Sequence, residues 1–204
     1  MIVITNPTPV ENEINIIHSL FSEGLTLLHI RKPDYPEIEL KLFLSQIGLK
    51  FRNRLVLHQH HHLANEFKIN RLHFSESDRG KRIPSTNRIL NPFSHKKLIL
   101  STSTHSIEDF NTLDTVFEYA FLSPVFSSIS KKDYTSKLDF SMEIKSRTNR
   151  KTKLVALGGI QFENIEQAIA FGFDNVALLG TVWNSNNPIE NFKLCQQTVL
   201  SHSL

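Results

Sequence analysis

Short runs of β-branched and aliphatic residues alternate along the chain with longer stretches in which apolar residues recur at helical spacing. The runs at 2–5, 25–31, 54–58, 71–74, 97–101, 119–121, 153–157 and 175–179 predict strands, and the stretches at 11–21, 35–49, 106–113, 164–171 and 188–200 predict helices. Strand and helix in strict alternation make a parallel sheet wrapped by helices. An open doubly wound sheet would carry a glycine-rich turn after its first strand, and Asn6-Pro7-Thr8-Pro9 is not one. The prediction is therefore an α/β chain forming a single (β/α)8 TIM barrel over residues 1–204. Ser106 with Glu108 and Asp109, and Asn164 with Glu166, predict helix starts, while Gly172 predicts a stop. The polar segment 75–94 shows no period and reads as a solvated connection near the ligand.

Composition narrows the class. The 204 residues, 40% of them apolar, suffice for one domain with a substantial core. No apolar stretch approaches the roughly 18 residues of a membrane span, and Ile2-Val3-Ile4-Thr5 follows the initiator without a basic region, so the chain reads as cytoplasmic with no membrane partner. The single cysteine, Cys195, reads as a buried apolar residue without a chemical role. A net charge of +3 comes from lysines and arginines interleaved with acids, which argues against nucleic acid and for a small anionic substrate. The sequence leaves room for a homo-oligomer.

In a parallel barrel the chemistry sits at the C-terminal ends of the strands, and here those ends are polar: His29 and Arg31, His58 and Gln59, His73 followed by Glu76 and Asp78, Ser101 to His105, then Lys131 beyond the sixth run. Gly158, Gly159 and Gly180 end the last two runs, where bare backbone N–H groups beside helix starts make an anion site suited to a phosphate ester. Arg31 and Lys131 add cations for further phosphate charge. Glu76 and Asp78 offer the hard oxygen ligands that Mg²⁺ takes together with substrate phosphates. The run His58, His60, His61, His62 lacks metal-ligand spacing and reads as surface histidines at a helix start.

The strand ends together resemble those of the thiamin phosphate synthase and TenI superfamily. His29-Ile30-Arg31 is similar to the family's Q/H-L/I-R, and Leu72-His73-Phe74 with Asp78 to V-H-L-G-Q-x-D. Ser103-Thr104-His105-Ser106 is similar to S-x-H-S, Ser123-Pro124-Val125-Phe126 with Lys131 to G-P-V-F-x-T-x-T-K, and Ala156-Leu157-Gly158-Gly159-Ile160 to A-I-G-G-I. The resemblance implies a TIM barrel that joins hydroxymethylpyrimidine diphosphate to a thiazole phosphate and releases pyrophosphate with Mg²⁺. It implies Arg31, Ser103 and Lys131 as catalytic residues and Asp78 with Glu76 as metal ligands. His29, His58, Gln59, His105, Gly158, Gly159 and Gly180 would bind substrate.

Departures from the family pattern gather on the diphosphate side. An N-D pair after strand three is His58-Gln59 here, the lysine two residues beyond Arg31 is Pro33, and the glycine before S-x-H-S is Ser101. Lys32 and Glu76 are the residues placed to compensate. Two alternatives stay open on the sequence: a TenI-like thiazole tautomerase, and a noncatalytic barrel that binds a phosphate ligand.

Overall fold

A computed structural model describes residues 1–82, 98–126 and 140–201. Eight strands close a parallel barrel in sequence order: β1 (Ile2–Ile4), β2 (Leu27–Ile30), β3 (Leu55–Leu57), β4 (Arg71–Phe74), β5 (Ile99–Thr104), β6 (Phe117–Leu122), β7 (Lys153–Ala156) and β8 (Asn175–Leu178). The barrel closes where Ile2 and Val3 pair with Ala177 and Leu178. Outside it lie α1 (Glu13–Ser22), α2 (Glu37–Ile47), α3 (Leu63–Glu66), α4 (Glu76–Arg82), α5 (Ile107–Asn111), α6 (Phe140–Glu143), α7 (Phe162–Phe171), α8 (Gly180–Trp183) and α9 (Pro188–Ser201). Among the described residues no helix is long and apolar enough to cross a membrane.

Strand alternation divides the core. One set of side chains, including Leu28, Ile30, Leu57, Leu122 and Leu154, packs outward against the helices. The other points into the barrel, where Ile2, Ile4, Phe121, Val155 and Ala177 form a separate apolar cluster with Tyr119. The interior is asymmetric, because β2, β4 and β5 each turn a polar side chain inward: His29, His73 and Ser101 are all buried. That polar half becomes the floor of the site.

Three local expectations change. Strand β5 runs to Thr104 rather than stopping at Ser101, and β6 begins at Phe117. Its hydroxyls make this possible: Thr102 donates to the Phe74 carbonyl at 2.9 Å and Thr104 to that of Phe121 at 3.0 Å, so polar side chains are satisfied inside a buried ladder. Helix α7 starts before Asn164, with Gln161 as its N-cap. Asn164 closes the turn from inside the helix, accepting from the Gln161 N–H at 2.9 Å and donating to the Gly159 carbonyl at 2.8 Å. Ser106 is the N-cap of α5 as expected, accepting from the Asp109 N–H at 3.0 Å. The first part of the segment expected to be a connection, 76–82, is helix α4, with Glu76 and Asp78 in its first turn; residues 83–94 lie outside the described residues.

Candidate active site

A cavity of about 880 Å³ opens over the C-terminal ends of the strands. Of the residues expected to form the site, Arg31, His58, Glu76, Ser103, His105, Gly158, Gly159 and Gly180 all line it. His29 lies beneath its floor, Gln59 and Asp78 stand outside its lining, and Lys131 falls outside the described residues.

The glycine side is built by close packing. Gly158 has φ +94°, and a β-carbon there would come within 2.9 Å of the Pro124 Cα, so backbone conformation and space both demand glycine. Val125 and Phe126 donate N–H groups to the carbonyls of Leu157 and Gly158, locking the β6 and β7 loops together. The Thr181 hydroxyl donates to the Ile160 carbonyl and fixes α8 against the same loop. As the first residues of α8, Gly180 and Thr181 have N–H groups without intrahelical acceptors, the arrangement that receives an anion.

Two strands round the barrel from β8, the end of β2 presents Arg31 and turns Lys32 away. Thr5 fixes Arg31 by its backbone, accepting its N–H at 2.8 Å and donating to its carbonyl at 3.2 Å, which leaves the guanidinium exposed to the cavity. Lys32 does not compensate for Pro33. It is fully buried, 2.6 Å from Glu13, with its ammonium over the rings of Tyr35 and Phe43. Gln59 has a backbone task, donating its amide to the Lys32 carbonyl.

Glu76 stands at the rim, 3.6 Å from the Nε2 of His105, whose Nδ1 is 2.7 Å from the Ser123 carbonyl. Asp78 lies two residues further along α4 and accepts a hydrogen bond from the Ser75 hydroxyl at 2.9 Å.

The floor is a histidine cluster. His29 Nδ1 lies 2.9 Å from His58 Nε2, and His29 Nε2 lies 2.7 Å from the Tyr119 hydroxyl. His73 contacts the Ser101 hydroxyl through Nδ1 at 2.9 Å and the Ser103 hydroxyl through Nε2 at 3.0 Å. Burial pushes all three imidazoles well below the ordinary histidine range, with His73 down to about 3, so the floor is neutral. Burial likewise raises the Tyr119 hydroxyl. The three histidines bring nitrogens close enough to suggest a metal. His58 and His73 are stacked face to face, however, with centroids 4.1 Å apart and planes 26° from parallel. In-plane lone pairs on stacked rings run side by side and do not converge on one ion.

His58 is thus an inward floor residue and not a surface histidine; of its neighbours, His62 is exposed at the start of α3. Of the buried partners, Tyr119 escaped the sequence reading as a site residue, while His73 and Ser101 stood among the polar strand ends without an assigned role. Their one sequence signal is polarity at inward strand positions, His73 opposite Ser101 and Ser101 opposite Tyr119 in the ladder.

A family model described as thiamine monophosphate synthase matches residues 1–182. The thiamine-phosphate synthase of Leptospira biflexa serovar Patoc is 26% identical over 187 residues, 86% of this chain and 84% of the relative. That of Actinobacillus succinogenes is 24% identical over 191 residues, 88% of this chain and 84% of the relative. Among solved structures, a thiamine phosphate pyrophosphorylase from Bacteroides thetaiotaomicron superposes with TM-score 0.74 at 30% identity, covering 98% of this chain and 96% of that one. A thiamine phosphate pyrophosphorylase from Pyrococcus furiosus shares the fold, with TM-score 0.75 at 18% identity over 98% of this chain and 95% of that one.

Proposed function

The chain belongs to the thiamine monophosphate synthase family, and from that premise we propose that it is a transferase of thiamin biosynthesis. It joins hydroxymethylpyrimidine diphosphate to a thiazole phosphate in this cavity and releases pyrophosphate. One observation carries the reading: one cavity is lined both by the glycines at the ends of β7 and β8 and by Arg31 and Glu76, which follow β2 and β4. Two anionic substrates need two such sides.

Of the two carboxylates expected to hold Mg²⁺, Glu76 lines the cavity, whereas Asp78, two residues on along α4, stands outside its lining on another face of the helix. Mg²⁺ would be held there by Glu76 together with substrate phosphate oxygens, a common mode for this ion, and would neutralise charge on the diphosphate. The chain's own groups do the rest. Arg31 holds the diphosphate oxygens and stabilises the charge that develops as the methylene C–O bond breaks, and Lys131 is assigned the same task on its sequence position. The N–H groups around Gly158, Gly159 and Gly180 hold the thiazole phosphate so that the ring nitrogen meets the pyrimidine methylene, an advantage of proximity. Ser103, His58 and His105 orient the substrates, and His29 acts through His58. Gln59 contributes by fixing the backbone that follows Arg31. No side chain attacks the substrate.

The histidines lining and underlying the cavity favour a second reading, metal-independent isomerisation of a thiazole phosphate carboxylate, since an imidazole can accept a proton at one nitrogen and donate from the other. Incubation with both substrates, with and without Mg²⁺, followed by mass spectrometry decides between them. Mg²⁺-dependent appearance of thiamin phosphate and pyrophosphate supports the transferase. Thiazole isomerisation without coupling supports the second reading.

A further inference from the structure

The floor contacts form two series whose inner ends, Tyr119 and Ser101, are ladder neighbours. From the cavity inward, His58 meets His29 at 2.9 Å and His29 meets Tyr119 at 2.7 Å. Tyr119 is paired with Ser101 in the β5–β6 ladder, and both side chains are buried in the barrel interior. Ser101 meets His73 at 2.9 Å, and His73 meets Ser103 at 3.0 Å. The middle of the series is sealed: His29 is 0% exposed, Ser101 1%, His73 3% and Tyr119 4%. His58 and Ser103, at its two ends, both line the cavity.

We propose that these six side chains form one proton relay with both ends in the cavity, which takes a proton from a bound heterocycle at Ser103 and returns one to it at His58, or the reverse. The ligand class is a neutral ring with an N–H beside a basic ring nitrogen, as in an aminopyrimidine; that identification rests on the function proposed above, whereas the relay does not.

The protons balance. In one state the Ser103 hydroxyl donates to His73 Nε2, His73 Nδ1–H to Ser101, the Ser101 hydroxyl to Tyr119, the Tyr119 hydroxyl to His29 Nε2 and His29 Nδ1–H to His58 Nε2. His58 Nδ1–H then faces the ligand as donor, while Ser103 accepts. Moving every proton one place gives the second state, in which each arrow is reversed, His58 accepts and Ser103 donates. One proton leaves the ligand, one joins it, and no group in the relay carries net charge before or after. The neutral imidazoles are the form this requires. In the structure the Ser101 hydroxyl donates to the Leu72 carbonyl at 3.4 Å, and the relay requires that hydroxyl to rotate towards Tyr119.

The two states make a distinctive demand. All three histidines carry the proton on Nδ1 in the first state and on Nε2 in the second, so their tautomers change together. Spectra correlating ¹⁵N with ring protons, on the full chain labelled in histidine, read this directly. The expected result is one shared tautomer, or one shared population ratio, for His29, His58 and His73. Tyr119→Phe and, independently, Ser101→Ala should leave His29 and His58 matched to each other and release His73 from them. A wild-type His73 whose tautomer population is unrelated to that of His29 overturns the proposal. In coupling assays, Tyr119→Phe should lower kcat by about 10²-fold and abolish any solvent deuterium effect on kcat, with little change in KM. Unchanged kcat with an unchanged isotope effect also overturns it. If the wild-type protein makes no thiamin phosphate, the transferase reading fails, and the tautomer spectra still decide the relay.

Discussion

Lys32 and Glu13 form a 2.6 Å ion pair sealed from solvent, with side-chain exposures of 0% and 5%. Desolvation lowers the lysine and raises the carboxyl, each opposed by the partner. One carboxylate oxygen, Glu13 Oε1, has no hydrogen-bond partner among the described residues. The pair anchors the segment after β2 to α1. Removing one partner strands a buried charge, so Lys32→Met is expected to cost about 3–5 kcal/mol in urea unfolding, while Lys32→Met with Glu13→Leu should recover most of that loss. A double variant as unstable as the single one would show that the pair's charges are not what holds this segment.

Gly158→Ala is expected to damage the cavity from its glycine side. The added carbon meets the Pro124 backbone at 2.9 Å and the residue sits at φ +94°. Strain of about 1–3 kcal/mol should push the loop outward. Calorimetric titration with thiazole phosphate should show binding weaker by about 5- to 150-fold for a loss of that size.

Arg31 faces the cavity from a backbone fixed by Thr5, so its side chain can be changed without disturbing the strand. Arg31→Ala is expected to lower kcat by about 10²-fold, the scale for removing one preorganised donor from developing charge. Arg31→Lys should restore only part, because a point charge does not reproduce the guanidinium fork. Lys131→Ala should likewise lower kcat. Steady-state kinetics with saturating thiazole phosphate check all three.

Acid should destabilise the fold through its floor. His29, His58 and His73 are held neutral when folded and would protonate near 6.5 when unfolded, so below that pH the unfolded chain binds more protons. Their stabilising contribution is complete above about pH 6.5 and falls as the pH drops toward 3, by up to about 1.4 kcal/mol per pH unit for each histidine. Thermal unfolding from pH 7.5 to 4.5 should show this slope, and His58→Gln should flatten it. An unchanged slope in that variant would place the acid sensitivity elsewhere.

The eight strands in order, five of the described helices, the closed barrel and the glycines that line the cavity after β7 and β8 were legible in the sequence because each rests on local pattern: apolar runs, helical spacing and glycines at strand ends. Eight of the expected site residues line one cavity for the same reason, since a strand's last residue emerges at the same face of any parallel barrel. What the sequence could not determine was direction and long-range pairing. Lys32 sits beside Arg31 in the chain yet points the opposite way, into Glu13, and Gln59 spends its amide on a backbone carbonyl. His29 and Tyr119 are 90 residues apart and share a hydrogen bond. Only closure of the barrel brings their strands' inward faces across one interior, where excluding water makes polar side chains satisfy one another and turns separate histidines into a connected floor.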